Sequence, residues 1–427
     1  VNILLVHNFY QQAGGEDQVF ADEGKLLESL GHTVDRYTVH NDQVDSMSRL
    51  QLARSTIWNA ASAKAIRERA SAMSADVVHF HNTFPLISPA AYSGAHQAGA
   101  AVVQTLHNYR LICPAATLFR DGQVCEKCIS QFVPWPAVRH SCYRGNRSAT
   151  AAVAAMLTVN RAWGTYRDEV DQYIALTDFS RDKFVSAGLP AELITVKPNF
   201  VSPDPGVQTD PEHYAVFVGR LTEEKGIRFL LFAWKTIAKG LPLKILGDGP
   251  LRAEVEGAAL PGSGIEYLGR RQLDEVLSIL GRAKALIFPS LWYEGLPRTI
   301  VESFAKGTPV IASRLGSMAE LVDHGVNGLL FEPGNEADLA RQVAAFLSRG
   351  GDLRLAARRT FEARYTGAEG YRALMAVYES AIHKARQRPQ TRDAWRNRAR
   401  FADHATAGAA KTASGPAGAP AGSSEAA

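Results

Sequence analysis

The chain has 427 residues, 46% hydrophobic and 21% charged. That is long enough for two ordinary cores and has the balance of a soluble globular protein. A net charge of +4 is too small to argue for nucleic acid and suits anionic substrates or a lipid surface. No apolar run reaches the ~20 residues a spanning helix needs. The first residues enter a strand pattern at once, leaving no room for a leader segment. A cytoplasmic protein is expected, with attachment to the inner face of a membrane as a further expectation.

Residues 2–6 read as a buried strand, 7–15 as a loop and 16–30 as an amphipathic helix closed by Gly31, before a strand resumes at 33–39. A dinucleotide-binding domain would carry G-x-G-x-x-G in that loop; only Gly14 and Gly15 are present. Residues 55–73 are helical in pattern with a basic polar side, ordinarily a solvated face. Strands at 76–80 and 101–106 end in His79-Phe80-His81-Asn82 and His107-Asn108-Tyr109. Histidines at strand C-ends face a cleft in open parallel sheets, although structural hydrogen bonding would account for them equally.

All four cysteines, Cys113, Cys125, Cys128 and Cys142, fall in one insertion, 111–147, spaced C-x11-C-x2-C-x13-C. In a reducing compartment this clustering favours a structural zinc site over disulfides, with four free thiols as the alternative. Strands at 173–176 and 193–196 complete the half, and 201–213, rich in Pro and Asp, reads as a linker.

The second half repeats the alternation. A strand at 215–218 leads into Gly219-Arg220-Leu221-Thr222-Glu223-Glu224-Lys225-Gly226 and a helix at 227–239. Arg220 and Lys225 suit a diphosphate clamp; a surface ion pair with Glu223 or Glu224 is the alternative. After strands at 243–246 and 265–268 comes the densest stretch, 284–313. There a strand at 285–288 gives way to the loop Leu291–Leu296. Pro297 is then expected at the first helical position and Gly307 just past the helix end. The free N–H groups of Arg298 and Thr299 would face an anion. Glu294 and Glu302 bracket that helix entry and make sense as acceptors for sugar or ribose hydroxyls. A final helix is expected at 371–386, followed by a basic and then Ala/Gly/Ser/Pro-rich tail from 388, too poor in large apolar groups to order itself.

The combination E-G-L-P-x4-E-x4-G-x-P-V-I-A, with G-R-L-x3-K about seventy residues earlier, closely resembles the retaining glycosyltransferases of family 4. The resemblance runs over nearly the whole chain, and cysteine-bearing loops like this one occur in a subset of that family. It implies the GT-B architecture: two facing Rossmann-like α/β domains, at 1–200 and 214–366, with a helix at 367–387 returning to the first. It implies transfer of a sugar from a nucleoside diphosphate sugar, UDP- or GDP-linked, to a glycan or lipid-linked acceptor, as in polysaccharide or lipopolysaccharide assembly. By the same resemblance Arg220, Lys225, Glu294 and His107 act on the reacting centre. Gly14, Gly15, Gly219, Gly295, Leu296, Arg298, Thr299, Glu302 and Asn199 hold the donor. T-L-H-N-Y is similar to the family's T-x-H-D, so His107 is carried over and Asn108, which replaces the commoner Asp, is not. No D-x-D motif suggests a catalytic metal, and cationic side chains can take its place on the diphosphate. A sugar-nucleotide 2-epimerase and a nicotinamide-dependent oxidoreductase are the competing classes. The first is disfavoured by E-G-L-P-x4-E, the second by the missing glycine fingerprint.

Overall fold

Alternating apolar strands and amphipathic helices fold into two parallel sheets, as seen in a computed structural model of the chain. It describes residues 1–388 apart from 13, 238–239 and 349–351. In chain order the first half contains β1 (Asn2–Phe9), α1 (Gly15–Ser29), β2 (Thr33–His40), α2 (Arg49–Ile57), α3 (Ala60–Ala72), β3 (Val77–Asn82), α4 (Ala90–Gln97) and β4 (Ala101–Thr105). Next come β5 (Phe119–Arg120), β6 (Gln123–Val124), α5 (Trp135–Arg139), α6 (Arg147–Ala162), α7 (Thr165–Asp168), β7 (Gln172–Ala175), α8 (Asp178–Ser186) and β8 (Ile194–Val196). The second half runs β9 (Ala215–Val218), α9 (Ile227–Ile237), β10 (Leu243–Leu246), α10 (Arg252–Ala258), β11 (Ile265–Gly269), α11 (Leu273–Arg282) and β12 (Ala285–Phe288). It ends with α12 (Arg298–Ala305), β13 (Val310–Ser313), α13 (Ser317–Leu321), β14 (Gly328–Phe331), α14 (Glu336–Ser348), α15 (Asp352–Arg364) and α16 (Gly367–Arg386).

The strand orders place the site. The first sheet is ordered β2-β1-β3-β4-β7-β8 and the second β11-β10-β9-β12-β13-β14, with all pairs parallel. Helices cover both faces of such sheets, which is why β3, β4, β12 and β13 read as unbroken buried runs. In each sheet the order reverses beside one strand, β1 in the first and β9 in the second. Crevices open there at the strand C-ends. The glycine pair follows β1, the Arg220–Lys225 segment follows β9, and the Glu294 loop follows β12.

The last helix returns to the first sheet, as expected. Leu374, Val377, Tyr378 and Ala381 of α16 are buried in one cluster with Ile3, Leu5, Val77 and Val103. Residues 1–387 pack as one compact unit. The expected tail from 388 lies outside the described residues beyond its first position.

Local differences from the sequence reading have local causes. The helix expected at 55–73 is two helices, because Asn59 stops one and caps the next, its Oδ1 accepting from Ser62 N–H at 3.2 Å. Pro297 is not the first helical residue. Its ψ of 105° is extended, and it serves as the N-cap, its carbonyl accepting from Ile300 N–H at 3.0 Å. Gly307 does stand just past the helix, at φ +69°, where a Cβ is disfavoured. The cysteine insertion contains the β5–β6 hairpin and α5, elements not assigned from the sequence.

Candidate active site

The cleft between the two strand-end crevices is about 420 Å³ and is lined from both halves. From the second half come Gly219, Arg220, Lys225, Trp292, Glu294, Gly295, Leu296, Arg298 and Thr299. The first half supplies Gly14, Gly15, Glu16, His107, Asn108 and Asn199. Of the donor-binding set read from sequence, Glu302 alone is not in this lining.

Lys225 does not pair with Glu223 or Glu224. Its Nζ donates to Glu294 Oε1 at 2.6 Å, and Ser290 Oγ donates to the same oxygen at 2.5 Å. The Lys225 side chain is 21% exposed and that of Glu294 7%, so a partly open cation stands against a nearly buried carboxylate. The ammonium also lies 5.3 Å from the Trp292 ring centroid. Arg220 is exposed in the cleft and makes no ion pair among the described residues. Beside them, α12 begins with its first N–H groups unsatisfied within the helix, and both Arg298 and Thr299 line the cleft.

Glu302 has a different environment. Arg298 Nε donates to its Oε1 at 2.7 Å, and Arg298 Nη1 lies 2.6 Å from Asp22 Oδ2 on α1. Burial raises the Glu302 pKa, with Asp22 adding to the rise and Arg298 opposing it. Burial pulls the Arg298 pKa down, but the two carboxylates outweigh it and hold the guanidinium above its usual range. A ligand hydroxyl reaching Glu302 must therefore share it with Arg298.

The first-half face rests on a buried polar network that sequence reasoning missed. His7, His79 and His81 have no side-chain exposure. His7 Nε2 meets Asp17 Oδ1 at 2.7 Å, and the other Asp17 oxygen accepts from Gly14 N–H at 2.8 Å. This fixes the glycine pair, which forms the N-cap and first residue of α1 with open space on its side-chain face. His107 Nε2 lies 3.0 Å from His81 Nδ1. His81 Nε2 in turn stands 3.5 Å from Glu23 Oε2, and Lys197 Nζ bonds the other Glu23 oxygen. Burial, then neighbouring positive or ionisable groups, pushes the pKa values of His81 and His107 well below normal, so both rings are neutral. His81 Nε2 and Glu23 Oε2 are both buried without a hydrogen-bond partner; a proton on that nitrogen would face the carboxylate and leave Nδ1 to accept from His107 Nε2–H. In that tautomer Nδ1 is the acceptor nitrogen of His107, which lines the cleft.

Glu16 is the other residue missed. It follows the glycine pair, lines the cleft, and its Oε1 is buried without a hydrogen-bond partner. Burial, reinforced by Asp17 and opposed by Arg110, Asn108 and Tyr10, raises its pKa to about 8. The signal was there in one respect, a carboxylate at the entry of a glycine-led helix. Its partner Asn108, at 3.5 Å, is 92 residues away. The halves touch where Gly295 lies against His107: a Cβ at Gly295 would stand 2.7 Å from the His107 carbonyl oxygen. Tyr109 Oη donates to the Glu294 carbonyl at 3.3 Å across the same junction.

All four cysteines are free thiols; Cys113 and Cys128 are buried. Burial raises the Cys128 pKa to about 11; a backbone hydrogen bond from Ala137 opposes the rise, and Cys113, Cys142 and Cys125 add smaller contributions to it. The donor set suits Zn²⁺. Among the described residues, however, the trio whose ligand atoms all lie within 4.8 Å is Glu23, His79 and His81, not the cysteines. That trio is poorly suited to a cation. Glu23 is neutralised by Lys197, and the His79 nitrogens are engaged by Tyr378 Oη at 2.9 Å and Thr105 Oγ1 at 2.8 Å.

The fold is that of known glycosyltransferase structures. Anabaena HepE in complex with UDP and glucose superposes with a TM-score of 0.64 at 19% identity, over 89% of this chain and 99% of that one. Sucrose-phosphate synthase from Thermosynechococcus elongatus does so at 0.66 and 16%, over 90% and 99%. Two family models match, "Glycosyltransferase Family 4" over residues 13–205 and "Glycosyl transferases group 1" over 212–349. The chain belongs to this glycosyltransferase family. Among curated relatives, the 2-deoxystreptamine glucosyltransferase of Streptomyces kanamyceticus is 31% identical over 208 residues, 47% of this chain and 49% of the relative. An amylovoran biosynthesis glycosyltransferase of Erwinia amylovora is 29% identical, over 46% and 53%. An uncharacterized glycosyltransferase of Methanocaldococcus jannaschii is 36% identical, over 32% and 38%. The chain thus spans about half, or less, of the length of these curated relatives.

Proposed function

We propose that the chain transfers a sugar from a nucleoside diphosphate sugar to a hydroxyl of a glycan or lipid-linked saccharide, with retention at the anomeric carbon. The observation that carries this is the convergence of Lys225, exposed Arg220 and the open start of α12 on one cleft, opposite His107 and Asn199. In this reading the departing diphosphate takes its neutralisation from Arg220, Lys225 and the N–H groups of Arg298 and Thr299. Such a site accelerates the reaction chiefly by stabilising the charge that grows in the transition state. Glu294, fixed by Lys225 and Ser290, accepts from a hydroxyl of the transferred sugar, and His107 does so from the other half. Asn199 has a buried Oδ1 without a partner on the same cleft and is assigned to the donor. Glu302 takes the ribose hydroxyls once Arg298 yields part of its hold.

A UDP- or GDP-linked hexose is the proposed donor, and polysaccharide or lipopolysaccharide assembly the setting. The complexes and pathways named for the similar proteins agree with this. Residues 1–200 form the acceptor half and 214–366 the donor half. Cys113, Cys125, Cys128 and Cys142 are assigned to a structural zinc that would fix the loop leaving the His107 strand. A panel of nucleoside diphosphate sugars, read by thermal stabilisation and then by transfer to saccharide acceptors with NMR of the product anomer, tests the proposal. Donor turnover that needs no acceptor and yields an epimer would overturn it, as would an inverted product.

A further inference from the structure

In the first half, between Glu126 and Asp168, no acidic residue occurs, while Lys127, Arg139, Arg144, Arg147, Arg161 and Arg167 do. The same stretch exposes two aromatics, Phe132 at 58% and Trp135 at 66%, the latter the most exposed large apolar side chain among the described residues. They share a face. Trp135 opens α5 and Arg139 lies one helical turn on, while Ala137 and Val138 of the same helix are buried. The presentation is rigid: Arg161 donates to the carbonyls of Gln131 and Phe132 at 2.8 and 2.9 Å, and to that of Leu111 at 2.8 Å. Three of the cations on this side of the insertion act on one exposed group, His140, just past α5. Desolvation first, and then Arg120, Lys127 and Arg139, lower the pKa of exposed His140, with Asp121 opposing them.

We propose that Phe132 and Trp135, in a stretch that also exposes Lys127, Arg139, Arg144 and Arg147, dock this half of the chain onto an anionic phospholipid bilayer. Aromatic rings at the level of the headgroups, backed by cations facing a negative leaflet, are the chemistry of an interfacial anchor. Two side chains in a basic field are too little apolar surface for a stable protein interface, which needs an apolar core of many residues. The inference extends the reading of a lipid-linked acceptor, but its test reads binding and requires no catalysis.

The full chain is sedimented with vesicles of phosphatidylcholine alone or with phosphatidylglycerol added, at low and high salt. Binding should be about tenfold tighter to anionic vesicles and weaken with salt. It should fall about tenfold in Phe132→Ala/Trp135→Ala, and comparably in Arg139→Gln/Arg144→Gln/Arg147→Gln, whose substitutions lie on exposed positions. Thermal melts of both variants, matched to the parent, guard against misfolding. A chain that ignores anionic vesicles, or variants that bind as the parent does, would overturn the proposal. So would a parent that self-associates through this face, becomes monomeric in the aromatic variant, and never sediments with lipid.

Discussion

The two walls of the cleft are built on different principles. The second-half wall is compact in sequence: Ser290, Glu294, Arg298 and Thr299 sit within ten residues, and only Lys225 and Arg220 come from farther off. The first-half wall is assembled from β1, α1, β3, the turn after β4 and the turn after β8, through His7, Asp17, Glu23, His81, His107 and Lys197. One wall is open and ready to meet an anion. The other is a buried relay whose outermost member alone reaches the cleft. In the proposed reading, a wall that binds growing charge needs exposed cations, whereas a wall that receives a sugar hydroxyl needs its ring held in one tautomer.

The comparison breaks most visibly at Lys225. Lys225→Ala should lower turnover by about 100- to 1,000-fold, while thermal stability falls by far less, because Ser290 still donates to the nearly buried Glu294 carboxylate. A stability loss that tracks the activity loss would make the pair structural and the two walls alike.

This contrast also sets what was legible in the sequence. The two-sheet fold was readable because parallel sheets buried on both faces give unbroken apolar runs, and strands 215–218, 243–246 and 285–288 match to the residue. The Glu294 loop was readable because its chemistry lies within one strand–loop–helix unit. The Glu23–His81–His107 relay was not, since its pairings join residues 58 and 26 apart and follow only from strand order. The Arg298 hold on Glu302 was hidden in part for the same reason. The i,i+4 spacing is visible, but Asp22 arrives from the other half.

The relay gives the next largest effect. His81→Phe should remove the hydrogen bond that fixes the His107 ring and lower kcat by about tenfold, with a small change in KM for the donor. Nitrogen-15 NMR of the labelled parent should show His107 protonated at Nε2 and bare at Nδ1, which requires no variant. A His107 ring protonated at Nδ1, or a His81→Phe enzyme with unaltered kcat, would reduce the network to packing.

The cysteine loop tests whether the first wall is held from outside as well. Protein purified without chelator should contain about one zinc per chain, with sulfur–metal distances near roughly 2.3 Å. Cys125→Ser/Cys128→Ser should lower transfer severalfold while leaving nucleotide binding by the second half intact. Full activity in metal-free protein with four titratable thiols would end the assignment.

The smallest effect belongs to Glu16, and it reports on the first wall alone. Burial lifts its pKa from 4.5 to about 8, so between those values the folded chain holds a proton that the unfolded chain has released. The corresponding stability is present below about pH 4.5 and is lost as pH rises through 8. Glu16→Gln keeps the shape, cannot ionise and has no such slope. The variant should therefore gain on the parent as pH rises from about 5 to about 8.5, by about 1 kcal/mol once the full shift is discounted for a partly open side chain. Urea denaturation of both proteins at the two pH values measures it. Parallel behaviour would mean that solvent reaches the carboxylate, and that Glu16 meets an acceptor as an ordinary anion. Divergence would leave a neutral carboxylic acid on the cleft at neutral pH, able to donate as well as accept. That is what a wall receiving a hydroxyl requires and a wall receiving a diphosphate does not.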